Sequence, residues 1–209
     1  MSYWCSHLLS NRSEHTKRFR EKQNIKAMNT KILFALVLCL CAQVAIGQKY
    51  FSKSGKISFF SDTDMEKIEA ENTSASTVID FSTGAIEWAV LIQGFQFEKA
   101  LMQEHFNENY MESSKYPKAK FKGVIEDHAK VDLAKDGTYE VTVNGELEIR
   151  GIKKPVSTKA TIEVANKMFT GTCSFSVLIA DYGIKVPKVV ENNIADAVDI
   201  DIMAEYKPL

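Results

Sequence analysis

Few residues in this 209-residue chain have the types and the spacing that metal binding or catalysis needs. His105 follows Glu104 and His128 follows Asp127, but the two histidines lack the close pairing with which neighbouring side chains hold zinc. Cys173 falls on the apolar side of an alternating segment, where a thiol behaves as a small apolar group rather than as a nucleophile. The sequence contains no nucleophile elbow and no glycine-rich loop of the kinds that cradle phosphates or dinucleotides. We therefore expect no catalytic residue, no metal site and no cofactor.

Large aromatic and flexible apolar side chains are plentiful instead, and they suit the burial of an apolar ligand. The residues predicted to face the interior include almost no ionisable group, so an enclosed space among them would be dry. Any one of these side chains can also be ordinary core packing, because a domain of this size needs about that many large apolar residues. The candidate ligand contacts are Phe81, Trp88, Phe95, Phe97, Met102, Phe106, Met111, Phe121 and Phe175.

The strands that would carry these side chains are indicated by alternation of apolar and polar residues. From residue 119 onward almost every second residue is apolar, most clearly between Tyr139 and Ile149, and turn residues such as Asp136-Gly137 separate the runs. Shorter and less regular runs precede them at residues 57–59, 68–70, 78–81 and 86–92. We predict an all-β fold of about eight antiparallel strands. Long strands favour a closed β-barrel over a sandwich, since closure removes exposed sheet edges.

One segment departs from this alternation. Apolar residues recur at intervals of three and four between residues 98 and 110, which predicts one short helix lying across or beside the sheet. Four of the candidate contacts flank this helix, where the mouth of a barrel would be covered, and these are Phe95, Phe97, Met102 and Phe106.

The N-terminal part of the chain has the pattern of a leader. Residues 1–27 are basic and polar without apolar periodicity, so we expect no fold there and interpret them as the product of a start codon assigned too early. Residues 28–47 have a short basic start, an apolar run from Ile32 to Ala42, and small residues at Ala45 and Gly47, which is the pattern of a secretory signal peptide. The run is too short for a membrane-spanning helix. We expect cleavage after Gly47 and a periplasmic or secreted domain at residues 48–209.

The expected domain has an acidic charge and no disulfide. Residues 48–209 contain 19 Lys and Arg against 25 Asp and Glu, a net charge of −6. This balance argues against nucleic acid and anionic membrane surfaces as partners. Cys173 is the only cysteine after residue 47, so no intramolecular disulfide can form there. The sequence does not indicate an oligomeric state.

Three segments together carry a family likeness. Residues 105–123 read HFNENYMESSKYPKAKFKG, residues 145–156 read GELEIRGIKKPV, and residues 180–183 read ADYG. In this order they resemble the YceI-like family over residues 48–209. The resemblance implies an exported, lipocalin-like antiparallel barrel whose interior holds a long apolar chain such as an isoprenoid or a fatty acyl group.

Three functions from different classes follow from these observations. The sequence favours a non-catalytic carrier or sequestering protein that binds a long apolar molecule inside the barrel. The alternative is a structural or interaction barrel filled by its own side chains, with an acidic outer face that meets a protein partner. The least favoured is a hydrolase or isomerase that uses carboxylates such as Glu104, Glu108 or Asp181.

We predict that the exported protein begins at Gln48, because the small residues at Ala45 and Gly47 occupy the positions that a signal peptidase recognises. N-terminal sequencing and intact-mass measurement of the protein recovered outside the cytoplasm check this. An N-terminus before Met28 would contradict the assignment of both leader segments.

Overall fold

The computed structural model describes residues 49–166 and 168–209, so the predicted leader segments at residues 1–27 and 28–47 lie outside the described residues. Within the described ranges the chain forms nine strands and one α-helix. The strands are β1 (Lys49–Asp62), β2 (Lys67–Asp80), β3 (Ala85–Leu91), β4 (Gln96–Phe97), β5 (Lys118–Glu126), β6 (Gly137–Ile149), β7 (Ile152–Ala165), β8 (Met168–Leu178) and β9 (Ala197–Pro208). The helix α1 (Ala100–His105) continues into a π-helical turn, Phe106–Tyr110, in agreement with the helix predicted for this segment.

The sheet closes on itself. Eight strands follow one another in the order β1-β9-β8-β7-β6-β5-β3-β2, and β2 pairs again with β1. Each of these pairings is antiparallel, and the two-residue strand β4 adds to the side of β2. A closed antiparallel barrel of eight strands with one short helix therefore confirms the predicted fold class. Closure leaves none of these eight strands with a free edge.

The two ends of the barrel carry different connections, because neighbouring strands run in opposite directions. At one end, which we call the chamber end, lie the β1–β2 turn, the β3–β5 connection with β4 and α1, the β6–β7 turn and the β8–β9 connection. At the other end, which we call the packed end, lie the connections β2–β3, β5–β6 and β7–β8. Among the described residues, none of the helices has the length and apolar character to cross a membrane.

The packed end is filled by stacked aromatic rings. Phe169 lies face to face with Tyr206, with 4.7 Å between ring centroids, and meets Tyr50 edge-on at 5.1 Å. The hydroxyl groups of Tyr206 and Thr77 form a buried hydrogen bond of 3.1 Å. Burial raises the pKa of Tyr206, so this phenol stays neutral. Phe81, which follows β2, contacts the rings of Tyr50 and Phe169 and completes this aromatic cluster.

One strand, β2, does not show the expected alternation of apolar and polar residues, because it contains buried polar residues. The sequence indicated two short runs, at residues 68–70 and 78–81, where the structure has the continuous strand β2. Asn72 is buried in the middle of this strand, where its Nδ2 donates to the Leu91 carbonyl at 3.0 Å and its Oδ1 accepts from the Ser74 backbone at 2.8 Å. A polar side chain with these partners can be buried without a large cost. The register between β1 and β2 shifts on both sides of Gly55, which further blurs the alternation.

We predict that Phe169→Ala lowers the free energy of unfolding by about 3–5 kcal/mol, because it empties the centre of a packed aromatic cluster. Denaturant unfolding measures the change. Val189→Ala is the control, since Val189 is 94% exposed and its loss should change stability by less than about 0.5 kcal/mol. Equal effects of the two substitutions would show that the packed end is not a closed core.

Candidate ligand-binding chambers

The interior of the barrel contains a chamber of ≈ 300 Å³ at the chamber end. Its wall consists of inward side chains from the strands together with residues of the β3–β5 and β8–β9 connections. Most of these side chains are apolar, and those supplied by the connections include Ile92, Phe95, Met102, Phe106, Met111, Ile179, Ile184, Val190 and Ile194. The two long connections thus provide apolar wall where the strands end.

Four phenylalanines form one face of this large chamber. Phe106 lies 5.4 Å from Phe59 and 5.0 Å from Phe97 between ring centroids, and Phe95 lies 5.5 Å from Phe59. The four rings come from β1, β4, the segment before β4 and the turn after α1. Because offset and edge-on ring contacts are favourable, the cluster holds the helix against the strands.

A second chamber of ≈ 100 Å³ lies deeper, toward the packed end. Trp88 and Phe121 line it, and glycines make room for both rings. A Cβ atom added at Gly55 would lie 2.7 Å from the Trp88 ring, and one added at Gly145 would lie 2.6 Å from the Phe121 ring. These glycines are therefore places where a larger residue would force an aromatic ring to move.

The two chambers are neighbours along the barrel. Six inward residues, each from a different strand, border both of them: Ile57, Val90, Ala119, Leu147, Phe175 and Ile202. This shared layer of side chains lies between the two volumes. Joining the chambers into one longer space would require rotamer changes among the larger of these side chains.

Arg150 ties together three segments of the chamber end. It lies in the β6–β7 turn with a side chain only 14% exposed, and its guanidinium forms an ion pair with Glu112. Its Nη1 donates to the Gly183 carbonyl at 2.6 Å, and its charge lies over the Tyr116 ring at 6.0 Å. Charge-assisted hydrogen bonds of this kind are stronger than neutral ones. Arg150 thereby fixes the β3–β5 and β8–β9 connections, which form the apolar wall.

Glu66 makes a second tie at the same end. Its Oε1 accepts from Lys99 at 3.2 Å and its Oε2 accepts from Asn193 at 3.1 Å, so one carboxylate joins the β1–β2 turn to both long connections. The hydrogen bond from Asn193 and the one from Lys99 lower the pKa of Glu66, which keeps it ionised at neutral pH. Glu66 and Asn193 also line the large chamber.

The structure places eight of the nine candidate contacts on the chamber walls. Trp88 and Phe121 line the small chamber, Phe175 borders both, and the large chamber is lined by Phe95, Phe97, Met102, Phe106 and Met111. Phe81 lines neither, because the turn after β2 directs it into the packed end, where it is 8% exposed. The role of these residues as ligand contacts stays a prediction.

Several residues that line the large chamber or hold its wall were not predicted from the sequence. Phe59 completes the aromatic face, and its alternation with Ile57 was the available signal. Tyr182 lies in the ADYG segment, but nothing in that motif indicates that its side chain is buried against the chamber. The roles of Glu66 and Arg150 depend on hydrogen-bond partners that lie far away in the sequence. No local sequence pattern indicates such partners.

The groups considered for catalysis are scattered. Glu104 and Glu108 are exposed on the helical segment, and Asp181 pairs with Lys154 at 3.3 Å on the outside. His128 forms a hydrogen bond of 3.1 Å with the Ile125 carbonyl in a turn at the packed end, far along the barrel from His105. Over the described ranges, no three His, Cys, Asp or Glu side chains are grouped closely enough to hold a metal ion.

Comparison with known proteins identifies the family. The sequence profile of the YceI-like domain matches residues 46–206. The chain belongs to the YceI-like family. No curated protein matches it.

Solved structures share the YceI-like fold. A polyisoprenoid-binding domain from Saccharophagus degradans matches with a TM-score of 0.69 and 14% identity, covering 78% of this chain and 99% of that one. BcnA from Burkholderia cenocepacia matches with a TM-score of 0.60 and 16% identity over 73% of this chain and 96% of that one. The YceI protein of Campylobacter jejuni matches at 0.53 and 15%, over 67% and 84% of the two chains. At these identities the likeness establishes the fold.

The three YceI-like segments recognised in the sequence meet at the chamber end. Residues 105–123 form the end of the helical segment and β5, residues 145–156 form the β6–β7 hairpin, and residues 180–183 open the β8–β9 connection. The Arg150 contacts described above join all three. The family motif therefore builds one wall of the large chamber and the tie that holds it.

We predict that Cys173 reacts slowly with thiol reagents in the folded YceI-like barrel. Burial beside the small chamber, with Asp201 nearby, raises the pKa of this thiol to about 11, so little reactive thiolate exists near pH 8. Alkylation of native protein should be roughly 100-fold slower than that of unfolded protein at pH 8, from the thiolate fraction alone. Mass spectrometry of the peptide 168–185 measures the rate. Equal rates in the two states would contradict the buried placement.

Proposed function

We propose that this YceI-like protein is an exported, non-catalytic carrier that binds a long apolar molecule, an isoprenoid or a fatty acyl chain, inside its barrel. The observation that carries the proposal is the apolar chamber of ≈ 300 Å³ next to a second of ≈ 100 Å³. Cores of ordinary domains are packed with few voids larger than a water molecule. Space of this size favours a ligand-binding barrel over one filled by its own side chains.

The volume of the chambers bounds the size of the ligand. An apolar cavity of about 150 Å³ accommodates benzene, which has six carbons. At the same cavity volume per carbon, the large chamber accommodates a chain of about 12 carbons, and the two chambers together accommodate about 16. A longer chain would extend beyond the chamber end.

Burial of the chain would supply the affinity. Each methylene group removed from water contributes about 0.8 kcal/mol, so a chain of about 12 carbons gains roughly 10 kcal/mol before the cost of ordering is subtracted. That cost is about 4–15 kcal/mol for association in general, and a preformed chamber keeps it low. The hydrogen bonds that Arg150 and Glu66 make to the wall support this preformed state.

Two further observations support carriage rather than conversion of the ligand. The carboxylates considered for catalysis lie outside the chambers, and the thiol of Cys173 is held neutral. The structurally similar domain from Saccharophagus degradans is a polyisoprenoid-binding domain. Export is supported by the signal-peptide pattern at residues 28–47, ahead of most of the residues that match the YceI-like profile.

Native mass spectrometry of the purified protein, before and after extraction with organic solvent, tests the proposal. We expect an additional mass that is released as a hydrocarbon-rich molecule, or one that appears on incubation with fatty acyl and isoprenoid compounds. Ala119→Phe should weaken binding and restrict it to shorter chains, because Ala119 borders both chambers and a phenyl ring there would fill the space between them.

Ala165→Phe is the matched control. Ala165 is exposed on β7 and lines neither chamber, so the same change in side chain should leave the bound mass unaffected. Bare protein in every sample, or equal binding by both variants, would contradict a ligand inside the barrel.

A further inference from the structure

Trp88 and Phe121 are partners in the pairing of β3 with β5, and both line the small chamber. At the packed end, side chains of this size fill the lumen, as Phe169 and Tyr206 do with rings stacked at 4.7 Å. Beside Trp88 and Phe121 the lumen instead contains a space of ≈ 100 Å³. The direction in which these two rings point explains the difference.

The Trp88 ring lies along the barrel wall on one side. A Cβ atom built on Gly55 would lie 2.7 Å from Cζ3 of the indole and 3.1 Å from Cη2. Carbon atoms in contact are normally about 3.5–4.0 Å apart. Gly55 belongs to β1, and β2 lies between β1 and β3. The indole therefore reaches across β2 to β1, at a position where a glycine leaves room for it.

The Phe121 ring lies along the wall on the opposite side. A Cβ atom would lie 2.7 Å from the Phe121 Cζ if it were built on Gly123, and 2.6 Å if it were built on Gly145. These two glycines are partners in the pairing of β5 with β6, so the ring covers both. The rings of Trp88 and Phe121 thus point away from each other, toward β1 and β6. The space between them stays open as the small chamber.

The small chamber suits the end of a hydrocarbon chain. Its wall on β7 and β8, on the far side of the barrel from β3, consists largely of small residues. These are Thr158, Ala160, Gly171 and Cys173. The Thr158 hydroxyl donates to the Ser174 carbonyl at 2.9 Å, and the Tyr206 hydroxyl is bonded to Thr77. Because these hydroxyl groups already have partners, an apolar group can lie against them at little cost.

The packed end stops a chain that enters from the chamber end. The stacked rings of Phe169 and Tyr206, together with Tyr50 and Phe81, lie beyond the small chamber. A chain of about 12 carbons fills the large chamber, and the small chamber adds space for about four more. Carbons beyond that number would remain outside the barrel.

We infer that the small chamber is a tail pocket kept open by Gly55, which holds the Trp88 ring against the wall, so that the barrel measures chain length and encloses about 16 carbons. Gly55 is then a residue that determines ligand specificity by positioning Trp88. The inference rests on the proposed function, because it assumes a chain in the large chamber.

Gly55 is the better of the ring-holding glycines for a test. A Cβ atom at Gly145 would also lie 2.5 Å from the Lys122 carbonyl oxygen, so a substitution there would disturb the sheet itself. At Gly55 the nearest atom belongs to the Trp88 ring, and the Ala75 carbonyl oxygen is farther away, at 3.1 Å. Gly55→Ala should therefore push the indole into the small chamber with little change to the strands.

The affinities of unbranched fatty acids from decanoate to arachidate, measured below the concentrations at which they form micelles, test the inference. The whole series shares one headgroup, so differences report on the chain. We expect each added methylene to tighten binding about fourfold up to palmitate, with little further gain for longer chains. In Gly55→Ala the gain should end near laurate, so that palmitate binds at least tenfold more weakly while laurate changes by less than about twofold.

Gly137→Ala is the matched control. Gly137 also lies in a strand, β6, but it is exposed, and the nearest atom to an added Cβ would be 3.7 Å away, an ordinary contact distance. This variant should keep the length profile of the unaltered protein.

Trp88→Leu provides a second test that does not depend on crowding the barrel. Removal of the indole should extend the gain in affinity beyond palmitate to stearate. Gly55→Ala added to Trp88→Leu should no longer shorten the preferred chain, because the ring that it displaces is gone. This combination separates an effect through Trp88 from a distortion of β1.

A length profile that Gly55→Ala leaves unchanged, or one that it shortens equally with and without the Trp88 ring, would overturn the inference while leaving the carrier function in place. Failure of the fatty acids to bind would overturn it as well. If geranylgeraniol also fails to bind, the carrier function is contradicted too.

Discussion

The structure depends on one constraint, the closure of eight antiparallel strands by the pairing of β1 with β2. Closure fixes the width of the interior, and a barrel of eight strands is just wide enough to be filled by side chains or to hold one small ligand. At each position along the barrel axis, the size of the inward side chains then decides whether the interior is filled or leaves space for a ligand. Residues as large as Phe169 and Tyr206 fill one end, whereas Ala119 and Gly171 leave space farther along.

The difference between the two ends follows from their connections. The β2–β3 turn brings Phe81 back into the barrel, so the packed end is sealed by stacked rings. The β3–β5 and β8–β9 connections are long enough to add a wall beyond the strands, and that wall encloses the large chamber. Directional polar contacts supplement the aromatic packing that holds this wall. Arg150 and Glu66 provide them from turns that the barrel itself holds in place.

Local patterns were sufficient for much of this fold. Strict alternation predicted β6 to β9 with the correct residues facing inward, and the change of period predicted the helical segment. Alternation failed in β2, where Asn72 and Thr77 are buried with hydrogen-bond partners. The sequence also could not show that Phe81 faces the packed end or that Glu66 faces the chamber. Both depend on where a turn directs the chain and on partners more than 30 residues away.

The measurement that tests a ligand inside the barrel most directly is quenching of Trp88 fluorescence by an alkyl chain brominated at its far end. Trp88 is the only tryptophan in residues 48–209, so it is the single reporter in the expected exported protein. Trp88 lines the small chamber, and bromine quenches only at close range, so a chain that enters from the chamber end should quench it saturably. Absence of saturable quenching while the chain binds would place the ligand outside the barrel and contradict this account.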